Sequence, residues 1–259
     1  MLALFLLRLA LGMLLALLVL SPGRTARATP QRGALVSASF FRAQLLVVLG
    51  LCLGTALWLG RDGDALVLGG LILAACACLL GSVSWSLERS PGALFLLAVA
   101  LISLLVALPR QEVAGPGFSG SWTTLAGSYA SALLLGAATS AMLLGHNYLV
   151  WPSMAMTPLF RLLILLVCAL TIRMLGEILV LGAWMSREEI AHMPADETLW
   201  LMVRWLVGLG GPAFLTWMAW QTAKIRSTQS ATGILYVVVI FCFVGELTGV
   251  LLRPGGLSL

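Results

Sequence analysis

Five ionisable residues stand inside long apolar runs. They are Arg8 in "LLRLA", Arg173 and Glu177 in "LTIRMLGEILV", Arg204 in "LMVRWL" and Glu246 in "FVGELTG". A charge in hydrocarbon is costly and is tolerated when paired and hydrogen-bonded. Arg173 and Glu177 are four residues apart, so they share one helix face and can pair. A set of this kind has two uses. It can lock helices together, with Arg8 and Arg204 snorkelling outward, or it can form a polar pocket where a lipid-soluble ligand with polar groups docks.

Other chemistry finds few residues to carry it. The two histidines are His146 in "MLLGHNYLVWP" and His192 in "SREEIAHMPADE". They fall at opposite ends of the apolar runs, separated by about 30 Å of hydrocarbon, which argues against an internal bis-histidine haem. His–Met ligation stays open, with His146 the ligand candidate and Met142, Met154 and Met156 nearby. The five cysteines (Cys52, Cys76, Cys78, Cys168 and Cys242) all lie in apolar runs and read as small hydrophobes. No spacing of His or Cys suggests a metal site, and no nucleophile–histidine–carboxylate set or phosphate loop is present.

The elements that must position these residues follow from composition. Of 259 residues 61% are hydrophobic and 10% charged, with a mean hydropathy of +1.05. A soluble domain carries roughly a quarter charged residues, so the chain belongs in a bilayer. Spans of roughly 20 residues are needed, and eight can be read: 1–20, 42–60, 65–85, 91–109, 124–150, 159–184, 198–222 and 231–252. The expected fold is all-α, a single polytopic domain of eight transmembrane helices. The first run is expected to be a retained span, because its flanking charges Arg24, Arg27 and Arg32 follow it rather than precede it. The net charge of +5 is scattered over loops and gives no reason to expect nucleic acid.

Loop charges set the orientation. The loops after spans one, three, five and seven hold Arg24, Arg27, Arg32, Arg42, Arg89, Arg161, Lys224 and Arg226; the others mix Arg61, Arg110 and Arg187 with acids that include Glu112. The positive-inside rule makes the first set cytoplasmic and puts both termini outside. Arg8, Glu177, Arg204 and Glu246 then fall in one outer-half layer, with Arg173 one turn deeper. The segment "PRQEVAGPGFSGSW" (109–122) reads as an irregular outer loop, and the tryptophans near span ends, Trp205 and Trp220 among them, as an interfacial belt.

The second half carries a resemblance. "GILYVVVIFCFVGELTGVLL" (233–252), "TLWLMVRWLVGLGGP" (198–212) and "SYASALLLGAATSAMLLG" followed by "MTPLFRLLILL" resemble the last four spans of the membrane-anchor subunit of dimethyl sulfoxide reductase-type molybdenum oxidoreductases. The first half departs from the pattern: Trp58 in "LWLGRDGD" stands where that family closes an early span with a histidine. The resemblance implies a multi-pass subunit of the inner (cytoplasmic) membrane that anchors iron–sulfur and molybdenum subunits and oxidises a bilayer quinol. Losing two protons and two electrons requires a carboxylate base, for which Glu246 and Glu177 are the candidates. Arg204, Arg173 and Arg8 are the candidates to orient the ring oxygens. A proton-coupled transporter and a purely structural anchor remain alternatives. Cysteines introduced at Pro30 and at Ile190 should react with an impermeant reagent from opposite sides of the membrane; labelling of both from one side would overturn the eight-span order.

Overall fold

The computed structural model describes residues 2–21, 36–60, 63–87, 92–114, 122–151, 154–185 and 195–252. The loop arginines Arg24, Arg27, Arg32, Arg61, Arg89 and Arg187, and His192, lie outside these residues. The described residues form helices α1 (Leu2–Leu20), α2 (Ala38–Leu59), α3 (Ala65–Ser86), α4 (Ala93–Ala114), α5 (Trp122–Val150), α6 (Thr157–Met185), α7 (Ala195–Trp205), α8 (Gly211–Lys224) and α9 (Thr228–Leu252). A single π-helical turn, Leu206–Gly210, joins α7 to α8 in one continuous span. Among the described residues eight spans are therefore long and apolar enough to cross a membrane, and the chain is a multi-pass membrane protein. In lipid the backbone must satisfy itself, which helices do.

The helices close into two rings of four. In the first, α1 packs on α2, α2 on α3, α3 on α4 and α4 back on α1. In the second, α5 packs on α6, α6 on α8, α8 on α9 and α9 on α5. The rings meet along α1 and α5, which are the most buried spans. An apolar side chain gains little by leaving lipid for protein, so close backbone approach must hold this seam. The sequence supplies it as small residues at every fourth position of α5, namely Ser128, Ala132, Gly136 and Ser140, opposite Gly12 of α1. A Cβ on Gly12 would lie 2.7 Å from the Ala132 carbonyl carbon and 2.9 Å from Gly136 Cα, both backbone atoms that cannot yield.

Several span boundaries shift by a few residues, and one shift moves a charge. The fourth span does not end at Pro109; α4 runs on through Pro109 to Ala114. Proline inside a helix removes one hydrogen bond and tends to bend or end it, which is why 109–114 reads as loop. Here the added turn carries Glu112 back into the bundle, where it is 1% exposed. Trp220, four residues from the end of α8, packs edge-on against Phe160 of α6 at 5.0 Å.

Gly12→Val should lower stability by about 3 kcal/mol or more, as overpacking against backbone does. Gly54→Ala, where a Cβ meets nothing within 4 Å, should be neutral or slightly stabilising. Thermal unfolding of both variants in lipid nanodiscs reads the contrast, and equal melting temperatures would refute the seam.

Candidate functional site

At one end of the bundle, α1, α5 and α7 begin and α4, α6 and α9 finish, and each contributes to a single polar cluster. The structure brings together all five ionisable residues singled out from the sequence and adds a sixth. Arg8, Glu112, Arg173, Glu177, Arg204 and Glu246 are all buried, none more than 4% exposed. Three guanidiniums thus face three carboxylates. The sequence reading counted only two carboxylates because Glu112 was placed in the outer loop.

The contacts run as a chain across the seam. Arg8 pairs with Glu112 and donates to Ser128 Oγ at 2.7 Å. Ser128 also donates to Glu112. Arg8 Nη1 stands 3.4 Å from Ser131 Oγ and 4.0 Å from Glu246 Oε2, and Ser131 donates to that same Oε2. On its other oxygen, Glu246 accepts from Arg173 Nε at 3.2 Å and from Arg204 Nη2 at 3.3 Å. Glu177 Oε1 in turn accepts from Arg173 Nη2 at 3.0 Å, the expected i,i+4 pair, and from Arg204 Nη2 at 2.5 Å. Glu246 is therefore the hub, in reach of all three arginines.

Local sequence explains how a guanidinium as large as that of Arg204 fits. Arg204 donates through Nη1 to the Gly245 carbonyl, which also accepts from Thr248 Oγ1 at 2.7 Å. Gly245 and Gly249 are one helical turn apart on α9. A Cβ at 249 would stand 3.0 Å from Arg204 Cζ, and a Cβ on Gly208 would stand 2.5 Å from Gly245 Cα. "GELTG" is thus a small-residue notch that admits the arginine and the π-turn following it. In that turn the Gly211 N–H reaches back five residues to the Leu206 carbonyl, widening the helix where it crosses α9.

Not every polar atom is answered. Among the described residues Glu177 Oε2, Arg204 Nε and Trp205 Nε1 are buried without a hydrogen-bond partner. Such atoms in a native core mark strain or a missing partner. Glu246, by contrast, has both oxygens engaged.

The other candidates lie elsewhere. His146 is exposed on the outer face of α5 near its far end, away from the charged cluster. Met154, one of the methionines considered with it, accepts from Asn147 Nδ2 at 3.6 Å. Among the described residues no group of three or more His, Cys, Asp or Glu side chains could hold a metal ion. Cys52, Cys78 and Cys242 are buried, and Cys76 and Cys168 face outward.

Ser128 and Ser131 had no signal beyond "SYAS" in an apolar helix. Glu112 had one: three buried arginines require a third carboxylate. Comparison of the chain with protein-family models, with curated proteins and with solved structures gives no match in any of the three. Removing one member of the cluster exposes the pairing directly. Arg8→Met should destabilise by about 3–5 kcal/mol, because Glu112 is left buried without the guanidinium that pairs with it. Adding Glu112→Leu should recover part of that loss in a double-mutant cycle read by unfolding in nanodiscs; additive losses would show that the two residues are not coupled.

Proposed function

We propose that this membrane protein is the quinol-oxidising subunit of a respiratory redox complex, anchoring iron–sulfur and molybdenum-type partners and binding the quinol headgroup at the Glu177–Arg204 edge of the cluster. The observation that carries the reading is Glu177 Oε2, a buried carboxylate oxygen without a partner beside an arginine that keeps an unpartnered Nε–H. Of the two carboxylates proposed as base from the sequence, Glu177 is the better placed. Glu246 already accepts on both oxygens and serves as the hub that holds the arginines.

The chemistry follows from charge balance. The cluster at rest is neutral, with three guanidiniums against three carboxylates. Glu177 Oε2 takes the proton of one quinol hydroxyl, and the cluster then carries one net positive charge. That is the sign needed to hold the ring oxygen left behind, and in a water-excluded site the effect is strong. Arg204 and Arg173 orient the ring, while Arg8 is committed to Glu112 and secures the seam. The second proton leaves by the same carboxylate once the first has moved to the outer surface. Iron–sulfur centres of a partner subunit would accept the two electrons, one at a time. On this reading the arginine-rich loops face the cytoplasm and the site lies in the outer half of the inner membrane.

A structural lock is the second reading, and the near-complete mutual pairing of the charges favours it. The two readings part on Glu177→Gln, which keeps shape and removes proton acceptance. The complex carrying it, isolated from native membranes, should assemble and melt normally while quinol-dependent reduction of its cofactors falls about 10²–10⁴-fold. Unimpaired turnover in an assembled Glu177→Gln complex would leave only the lock. Identifying the subunits and cofactors that co-purify tests the complex itself.

A further inference from the structure

The two spans with the smallest buried share are α6 and the span made of α7 and α8, which leaves more of their surface to lipid than any other span does. At the end of the bundle opposite the charged cluster, α6 begins and α8 finishes. The two run antiparallel and pack on each other, with Phe160 edge-on to Trp220 at 5.0 Å. That ring pair fixes which faces meet, and hence where the residues around it stand.

Each residue of a helix turns by about 100°. Arg161 follows Phe160 by one residue and Ile164 by four, so they lie about 100° and about 40° round from it. Gln221 and Lys224 follow Trp220 by the same intervals, and Trp217, three residues before it, lies about 60° round in the same sense. On antiparallel neighbours that sense leads to one side of the pair, so all five residues flank the rings on a common face. It is the outer face, since all five are exposed. Depth sorts them by chemistry. Lys224 stands about 6 Å nearer the end of the bundle than the rings, and Gln221 and Arg161 are level with them to about 1.5 Å. Trp217 and Ile164 lie about 4.5 Å and about 6 Å deeper.

The charge at this end has one sign. Arg226, in the turn after α8, adds a third exposed cation. No Asp or Glu among the described residues lies here, and the ion pairs among them all belong to the cluster at the other end. Two long cationic side chains above an apolar strip that faces the bilayer match a molecule that is anionic at the water boundary and apolar below it.

We propose that the outer face of the α6–α8 pair binds one anionic phospholipid, its phosphate held by Arg161 and Lys224 and one acyl chain lying over Trp217 and Ile164. Gln221 donates to the headgroup oxygens. A zwitterionic phospholipid carries the same phosphate with its own compensating ammonium, so the two cations select for net negative charge. The site uses no residue of the charged cluster and stands independently of the quinol reading.

The test titrates the delipidated full chain in detergent with phosphatidylglycerol or with phosphatidylcholine of the same acyl chains, and counts retained lipid by native mass spectrometry. One phosphatidylglycerol should be retained, about tenfold more tightly than phosphatidylcholine. The Arg161→Gln, Lys224→Gln double variant should erase that preference while its melting temperature holds. Arg42→Gln removes an exposed cation at the same end on α2 and should change nothing. Trp217→Ala should weaken retention of both lipids, an independent readout if the double variant fails to fold. Equal retention of the two lipids by the unaltered chain overturns the site, as does a loss from Arg42→Gln equal to that of the double variant. Displacement of the lipid by inorganic phosphate would show a phosphate site in place of a lipid site and overturns it too.

Discussion

A guanidinium in a water-free interior must be answered on every side by protein, and three of them in one layer constrain the whole bundle. Arg8, Arg173 and Arg204 come from three different helices, and the hub that all three reach is a single carboxylate, Glu246. Bringing α1, α6 and α7 around the end of α9 fixes which helix ends must coincide and hence the direction of every span. It also fixes what the backbone may carry. Gly249 cannot be larger because Arg204 lies against it, and Gly208 and Gly245 must both lack a side chain because the spans touch there. The fourth helix has to run beyond its proline so that Glu112 can meet Arg8. The extended α4 and the notch in α9 are separate local facts with one electrostatic cause.

The same constraint places the cluster on the line where the two rings of helices join. Glu112 and Arg8 belong to the first ring; Arg173, Glu177, Arg204 and Glu246 belong to the second. Ser128 and Ser131, at the start of α5, tie them together. Apolar contact between the rings competes with lipid on nearly equal terms. Close glycine packing around Gly12 and ionic contacts at one end are therefore what make two four-helix rings one protein. The second ring also holds three buried polar atoms without a hydrogen-bond partner among the described residues: Glu177 Oε2, Arg204 Nε and Trp205 Nε1.

Much of this was legible in the residues. Eight apolar runs separated by short polar loops dictate the spans, because hydrocarbon leaves a helix little choice of length. Depth counting brings Arg8, Glu177, Arg204 and Glu246 into one layer, with Arg173 one turn deeper, since a helix rises by a constant amount per residue. What escaped was set by partners rather than by periodicity. Pro109 ends most helices, and only an arginine on another span makes it worthwhile for α4 to continue to Glu112. The π-turn has no composition signal apart from "GLGGP", which read as packing glycines and is that as well. Ser128 and Ser131 look like filler until a carboxylate is found opposite them.

The π-turn also changes what chain length means in this span. A π-turn holds one more residue than an α-helical turn would, and each residue of an α-helix corresponds to about 100° of rotation. Because the wide turn absorbs that residue, removing one from 206–210 would close it to an α-helical turn and leave the flanking helices facing nearly as before. Removing one from the regular helix on either side would instead turn what lies beyond it by about a third of a revolution. Length in this span is therefore a measure of angle: where a residue is lost, and not how many remain to cross the membrane, decides the direction in which one charge faces.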